Sequence, residues 1–240
     1  MKDTFDIVVL NARPAAGKSE IIDYLKHTEL AERRKRFHIG AFEEIDDFPM
    51  LWTWFEEDDL LEGMGEARLH TDKDGYFLGE YLWHVLIERM ALEYRKKAGR
   101  DAAYREQVTT IMEFSRGSEH GGYAKAYQHL PEEILQRMVI LYVNVSYEES
   151  LRKNRKRFNP DKPDSILEHG LPDEKMERLY KDVDWDSLPK FDGKFIEVKG
   201  VQVPYVVFEN GDDVTTQRGE ALGKRLDETL QALWRIQQER

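Results

Sequence analysis

Residues 7–25, IVVLNARPAAGKSEIIDYL, constrain this chain more than any other stretch. An apolar run reads as a buried strand, a tight turn follows, and helical periodicity begins at once behind it. The turn, residues 12–19, fits the spacing G-x-x-x-x-G-K-[ST], with Ala12 where the first glycine usually stands. Successive backbone N–H groups at Ala15, Ala16, Gly17, Lys18, Ser19 and Glu20 would form a nest for phosphate oxygens. The following helix adds its positive N-terminal end. Gly17 permits a backbone geometry that a Cβ would crowd. Lys18 reaches for β- and γ-phosphates, and the Ser19 hydroxyl suits Mg²⁺. The expected ligand is a nucleoside triphosphate, ATP, with Mg²⁺.

The rest of the chain alternates apolar runs with helical patterns, an α/β signature. Strands are expected at 5–11, near 37–39, at 108–114, 138–145 and 205–208, with an extra one at 195–198. Helices are expected from the phosphate turn to His27, over 76–97 with Leu78, Leu82, Leu86 and Met90 on one stripe, over 122–136, and over 214–237. In the last, Leu222, Leu226, Leu230 and Trp234 form a stripe, and Gly219 and Gly223 continue it, which suggests close packing on the sheet. The reading is a single domain, 1–240, with two long additions: an acidic, aromatic segment at 40–75 and a segment at 146–200 holding a basic helix and a Pro/Asp/Gly-rich connector, 159–173. Segments this long on α/β cores usually carry function.

Composition narrows the partners. The 240 residues include no cysteine, so disulfides, thiolate catalysis and zinc–thiolate sites are excluded. A formal charge of −11 disfavours nucleic acid or an anionic membrane as the main partner. No apolar run approaches the ~20 residues of a membrane span, and strand residues begin almost at the N-terminus, so a cytoplasmic location is expected. A homodimer is left open.

Four further constellations carry chemistry. Glu113, ending the strand of TTIMEFSRG, lies at the carboxyl edge of the sheet, where it can hold a Mg²⁺-bound water or orient a substrate hydroxyl; a strand-ending salt bridge is the plain alternative. Arg116 can clamp an anion or stabilise charge on a transferring phosphoryl group. In SYEESLRKNRKRF, residues 146–158, Arg152, Arg155 and Lys156 share a helix face that can close over a nucleotide, or else form a solvated surface paired with Glu148 and Glu149. In ENGDDVT, Asn210, Gly211 and Asp212 are placed to meet a nucleotide base, while Asp213 or Thr215 can cap the last helix; an ordinary turn is equally compatible. Among Glu43, Glu44, Asp46 and Asp47, a carboxylate can take a proton from an acceptor hydroxyl, Asp46 and Asp47 leading. Arg68 and His70 are weaker substrate candidates, and Trp52 and Trp54 stack on a base or build a small core.

ARPAAGKS, MEFSRG, YEESLRKNRKRF and ENGDD occur in an order that resembles the nucleoside/nucleotide kinase branch of the P-loop NTPases. The resemblance implies a three-layer fold with a parallel five-stranded sheet in the order 2-3-1-4-5, a substrate insert at 40–75 and a lid at 146–200. It also implies that Lys18 and Ser19 bind ATP and magnesium, Arg116 serves the substrate side, and Arg152 or Arg155 the phosphates. Deoxynucleoside kinases carry Glu-Arg-Ser after the third strand and adenylate kinases Asp-Gly-Phe-Pro-Arg; Glu113-Phe114-Ser115-Arg116 matches neither, so acceptor identity does not carry over. The implied activity is ATP-dependent phosphoryl transfer to a nucleoside, nucleotide or similar metabolite. A nucleotide-binding ATPase or sensing module acting through a protein partner is the alternative. No Asn-Lys-x-Asp guanine motif and no LSGGQ occur. A polynucleotide substrate would require a basic channel to which the RRKR run, 33–36, could contribute.

Overall fold

The computed structural model describes residues 2–157 and 170–240. In chain order the elements are β1 (Ile7–Ala12), α1 (Lys18–His27), α2 (Leu30–Phe37), β2 (Ala41–Asp46), α3 (Asp47–Gly63), α4 (Tyr81–Arg100), α5 (Tyr104–Gln107), β3 (Val108–Phe114), α6 (Gly122–Gln128), α7 (Glu132–Leu135), β4 (Met138–Asn144), α8 (Tyr147–Arg157), α9 (Asp173–Tyr180), β5 (Lys190–Phe191), β6 (Phe195–Val198), β7 (Val201–Glu209), α10 (Val214–Gln217) and α11 (Glu220–Gln238). Of the connector expected at 159–173, residues 159–169 lie outside the described residues.

Every residue of β1 is buried, as a continuous apolar run covered on both faces should be. Alternate strand residues feed two cores. Ile7, Val9, Met112, Ile140 and Tyr142 pack with Ile87 and Met90 of α4 and Tyr123 and Tyr127 of α6. Val8, Leu10, Ile111 and Leu141 pack with α1 and with Leu222, Leu226, Leu230 and Leu233 of α11. Helices therefore cover both faces of the sheet in three layers. Gly223 serves close packing, though not against the sheet: a Cβ there would fall 2.0 Å from the Tyr24 hydroxyl of α1.

Strands β2, β3, β1, β4 and β7 lie side by side in that order and all run parallel. The sheet does not stop at five strands, however. β6 pairs antiparallel with β7, and β5 with β6, giving seven strands in a mixed sheet. The strand expected at 205–208 is the second half of a nine-residue strand, and its first half holds the hairpin. Residues 190–198, expected within the lid segment, join the sheet edge.

Four other expectations shift. The helix expected over 214–237 is two, α10 and α11, because Arg218 leaves the first with φ of 51° and Gly219 caps the second. The second strand is Ala41–Asp46 rather than 37–39, because Phe37 closes α2 and His38 leaves the helix with φ of 52°. Glu43, Glu44 and Asp46 are thus on the strand, and only the part from Asp47 onward is inserted. The long helix starts at Tyr81, since Thr71 and Phe77 form an antiparallel bridge and Leu78 N donates to His70 O at 2.8 Å. Leu78 is accordingly exposed while Leu82, Leu86 and Met90 are buried. The helix expected over 122–136 is two, α6 and α7, separated at Pro131. The RRKR run is structural: Arg33 is buried and donates to Leu25 O (2.7 Å) and Gly40 O (3.1 Å), and Arg36 pairs with Asp227 (3.0 Å). Among the described residues no helix is long and apolar enough to cross a membrane.

Candidate functional site

The loop between β1 and α1 has the backbone its sequence requires. Ala15 and Gly17 take positive φ, 55° and 113°, while Ala12 is the last residue of the strand and needs no glycine there. A Cβ on Gly17 would lie 2.5 Å from Thr215 Oγ1 and 2.9 Å from Asn210 Nδ2. The loop's carbonyls are held from outside. Tyr123 OH donates to Ala12 O (3.0 Å), Ser150 Oγ to Pro14 O (2.7 Å) and Asn210 Nδ2 to Ala16 O (2.8 Å). Arg13 donates to the carbonyls of Val145, Tyr180 and Lys181 at 3.0–3.2 Å. No side chain caps α1. Its first-turn N–H groups thus face an anion-binding position without a protein partner of that kind. The loop thus joins the carboxyl end of β1, flanked by β3 and β4, to the start of α1, the setting in which the sequence spacing predicts a phosphate-binding turn.

Lys18 Nζ donates to Ser115 Oγ at 2.8 Å, just beyond the end of β3. There the parallel register sets Asp46 directly beside Glu113. Burial, reinforced by the charges of Glu113 and Asp47, pushes the Asp46 carboxyl up to about 8; the Phe48 amide and Lys18 oppose it. Burial also raises Glu113, against the pull of Lys18. Burial and the closeness of the two carboxyls thus oppose their both being ionised at once. Asp46 additionally caps α3, accepting from Phe48 N at 2.9 Å.

Arg116 is 2% exposed, and its fork is spent within the protein. Nη1 donates to Asp47 Oδ2 (2.6 Å) and Ser115 O (2.7 Å), and Nη2 to Trp83 O (3.1 Å). The guanidinium lies 5.2 Å from the Trp83 ring centroid, and Trp83 stacks on His120 at 3.9 Å. Arg116 therefore shapes the wall of the cleft, while its Nε is buried without a hydrogen-bond partner.

The P-loop, Asp46, Asp47, Glu113 and the inner side of α8 line one cleft of about 730 Å³. Arg152 and Lys156 of the expected basic face reach it; Arg155 does not line it and pairs with Asp173 of α9 at 3.0 Å. Lys153, which the sequence expectations do not include, is buried and holds Asp213 Oδ1 at 2.5 Å beside Thr215 Oγ1 at 3.3 Å. A signal existed: Ser150, Lys153, Asn154 and Arg157 recur at i, i+3, i+4 and i+7, a polar stripe where an inward apolar one is usual. From the 209–215 loop the cleft takes Asp213, not Asn210, Gly211 or Asp212. Asn210 is fully buried and braces the P-loop, also donating to Thr215 Oγ1 at 2.8 Å. Asp212 pairs with Arg225 of α11 at 2.6 Å, and Arg225 holds its carboxyl low, at about 2.

The insert is built around Asp58, a fully buried carboxylate that accepts from the amides of Leu69 (2.7 Å), His70 (3.0 Å) and Thr71 (2.6 Å). Arg68 pairs with Asp59 (2.7 Å) and Glu62 (2.9 Å), and His70 stacks on Trp54 at 5.1 Å. Arg68 and His70 thus shape the insert, and Trp54 belongs to a small core with Leu82, Trp83 and Leu86.

The residues fit a triphosphate and its magnesium ion. Mg²⁺ takes oxygen donors, keeps several waters, and is commonly held by one or two carboxylates plus substrate phosphates. The cleft offers the Ser19 hydroxyl, the Asp46–Glu113 pair and the open P-loop. Among the described residues no group of three or more His, Cys, Asp or Glu stands together as a metal site.

No family model and no curated protein matches the sequence. Among solved structures, a sugar kinase from Janibacter sp. HTCC2649 is similar at 15% identity, over 93% of this chain and 95% of that one, with a TM-score of 0.44. Shikimate kinase from Bacteroides thetaiotaomicron is similar at 14% identity, over 66% and 69% of the two chains, with a TM-score of 0.32. At such scores neither likeness bears on chemistry.

Proposed function

We propose that this protein transfers the terminal phosphoryl group of ATP to the hydroxyl of a small-molecule acceptor. The observation that carries the reading is one cleft in which Lys18 and the loop after β1 face two carboxyls set side by side by strand register, Asp46 and Glu113. The P-loop amides and the N-terminal end of α1 hold the β- and γ-phosphates, and Lys18 leaves Ser115 to reach them. Lys153 and Arg152 are poised behind Asp213, and their exchange onto phosphate oxygens draws α8 over the nucleotide. The ionised member of the Asp46–Glu113 pair accepts the proton of the acceptor hydroxyl at a carboxylate oxygen. Magnesium would be held by Ser19 and by the other carboxylate of the pair once it has lost its proton, and would supply charge neutralisation at the phosphates. Residues 47–75 flank the acceptor side.

The test is ATP–Mg²⁺ turnover against a broad panel of alcohols, with phosphorylated product read by mass. Lys18→Ala is expected to abolish product while leaving the thermal transition in place. Nucleotide binding with slow hydrolysis that no acceptor stimulates would refute phosphotransfer in favour of an ATPase or sensing module.

A further inference from the structure

A small apolar cluster lies apart from the cores on the two faces of the sheet. In it Met176, Leu179 and Tyr180 of α9 pack with Tyr147 and Leu151 of α8 and with Tyr76, in the turn between α3 and α4. It joins the helix beside the P-loop to the segment on the acceptor side without passing through the sheet.

Polar contacts reinforce both sides of this bridge. Toward α8, buried Asn154 exchanges hydrogen bonds with the Leu171 backbone, donating to its O at 2.7 Å and accepting from its N at 3.0 Å. The exposed Arg155–Asp173 pair adds little. Toward the insert, Lys175 Nζ donates to Gly75 O at 3.2 Å, and the Arg178 guanidinium lies 4.0 Å from the Tyr76 ring centroid. The turn itself is braced by Asp72, whose carboxylate accepts from Asp74 N (3.0 Å) and Tyr76 N (2.8 Å) and whose amide donates to Tyr76 O (2.8 Å). Such a turn transmits a displacement rather than absorbing it.

The other end of α9 is pinned. Arg13 holds the carbonyls of Tyr180 and Lys181, and Ser118 N donates to Asp182 O at 2.8 Å. Gly117 approaches so closely that a Cβ there would fall 1.8 Å from Leu179 O.

We propose that α8, α9 and the turn at 72–76 move as one unit, so that nucleotide capture by Lys153 and Arg152 also carries the insert toward the acceptor side of the cleft. This rests on the phosphotransfer reading, in which α8 is drawn over the nucleotide. Tyr76, Lys175 and Arg178 line no part of the cleft and act as positioning residues. The acceptor side is completed only when nucleotide is held, and by reciprocity a bound acceptor tightens the nucleotide.

The experiment is hydrogen–deuterium exchange of the full chain, read by mass, with and without β,γ-imido-ATP and Mg²⁺. In the wild type the analogue is expected to slow exchange at least about threefold over residues 70–78, as well as in the P-loop and α8. Tyr76→Ala should keep the slowing in the P-loop and α8 and lose it at 70–78, whereas Tyr76→Phe, which keeps the ring, should retain both. Lys175→Ala combined with Arg178→Ala leaves the turn and the apolar cluster in place, and it should give the Tyr76→Ala result should that variant fail to fold. No slowing at 70–78 in the wild type although the analogue binds overturns the proposal, as does slowing there that survives the loss of these contacts. Calorimetry with the same analogue separates these outcomes from a failure to bind it at all, which removes the phosphotransfer reading beneath.

Discussion

Asp46→Asn tests the carboxylate pair most directly. Asparagine keeps the cap on Phe48 N, because its side-chain oxygen is an equally good N-cap acceptor, but it cannot ionise. In the native chain the Asp46 carboxyl is raised from 3.8 to about 8, with burial as the leading cause. The sign follows from linkage: a raised carboxyl contributes stability in full below its unfolded value and loses it as pH climbs toward the folded value. Between pH 5 and pH 8 the unfolded chain is ionised at this position while the native one mostly is not. At about 1.36 kcal/mol per pH unit this span is worth at most about 4 kcal/mol. The adjacent Glu113 carboxyl and contact with cleft water reduce it to roughly 2 kcal/mol, or about 4–8 °C in melting temperature for a domain of this size. The expected result is that wild type loses this much relative to Asp46→Asn from pH 5 to pH 8 in urea or thermal melts without nucleotide. ATP–Mg²⁺ should then recover stability in the wild type more than in the variant. A stability difference between the two proteins that stays flat across that pH range would refute the raised Asp46 carboxyl.

Lys153→Ala should raise the KM for ATP about tenfold, whereas Arg155→Ala should leave it within about twofold, since Arg155 is committed to Asp173 outside the cleft; steady-state kinetics of the pair checks both. Asn210→Ala should cost about 1–3 kcal/mol in chemical denaturation by leaving buried partners unmet, and should weaken nucleotide affinity by loosening the carbonyl of Ala16. Asp47→Ala strands the Arg116 guanidinium, and about 3–5 kcal/mol of lost stability is expected in urea melts. Substituting both residues, with Arg116→Met, should recover part of that loss.

The features legible in the sequence are the local ones. Lys18 and Ser19 were found because a strand, a turn and a helix start follow one another within a few residues, and Glu113 because an apolar strand announced its own end. What escaped depends on partners distant in the chain. Asp46 gains its meaning from Glu113 through the register of two strands with α3, α4 and α5 between them in the chain, and Arg116 meets Asp47 across 69 positions. β2 lies a few residues beyond the expected 37–39 because AFEEID, an edge strand with charged residues and mixed exposure, reads as an acidic loop. β5 and β6 extend the sheet through a hairpin whose pairing partner, the first half of β7, begins before the apolar stretch recognised as a strand. Lys153 was missed because a buried polar stripe imitates a solvated helix face.

The two margins of the sheet differ in construction yet share a consequence. On one side the outermost ladder is only two residues long, Lys190–Phe191; on the other, β2 carries Glu43, tied to Lys97 at 2.8 Å, and Glu44, tied to Lys26. Neither margin offers the long, flat, uncharged template on which a foreign strand would dock. Self-association of this protein is therefore to be sought through its helical flanks, and its sheet should resist the runaway strand addition that seeds fibrils.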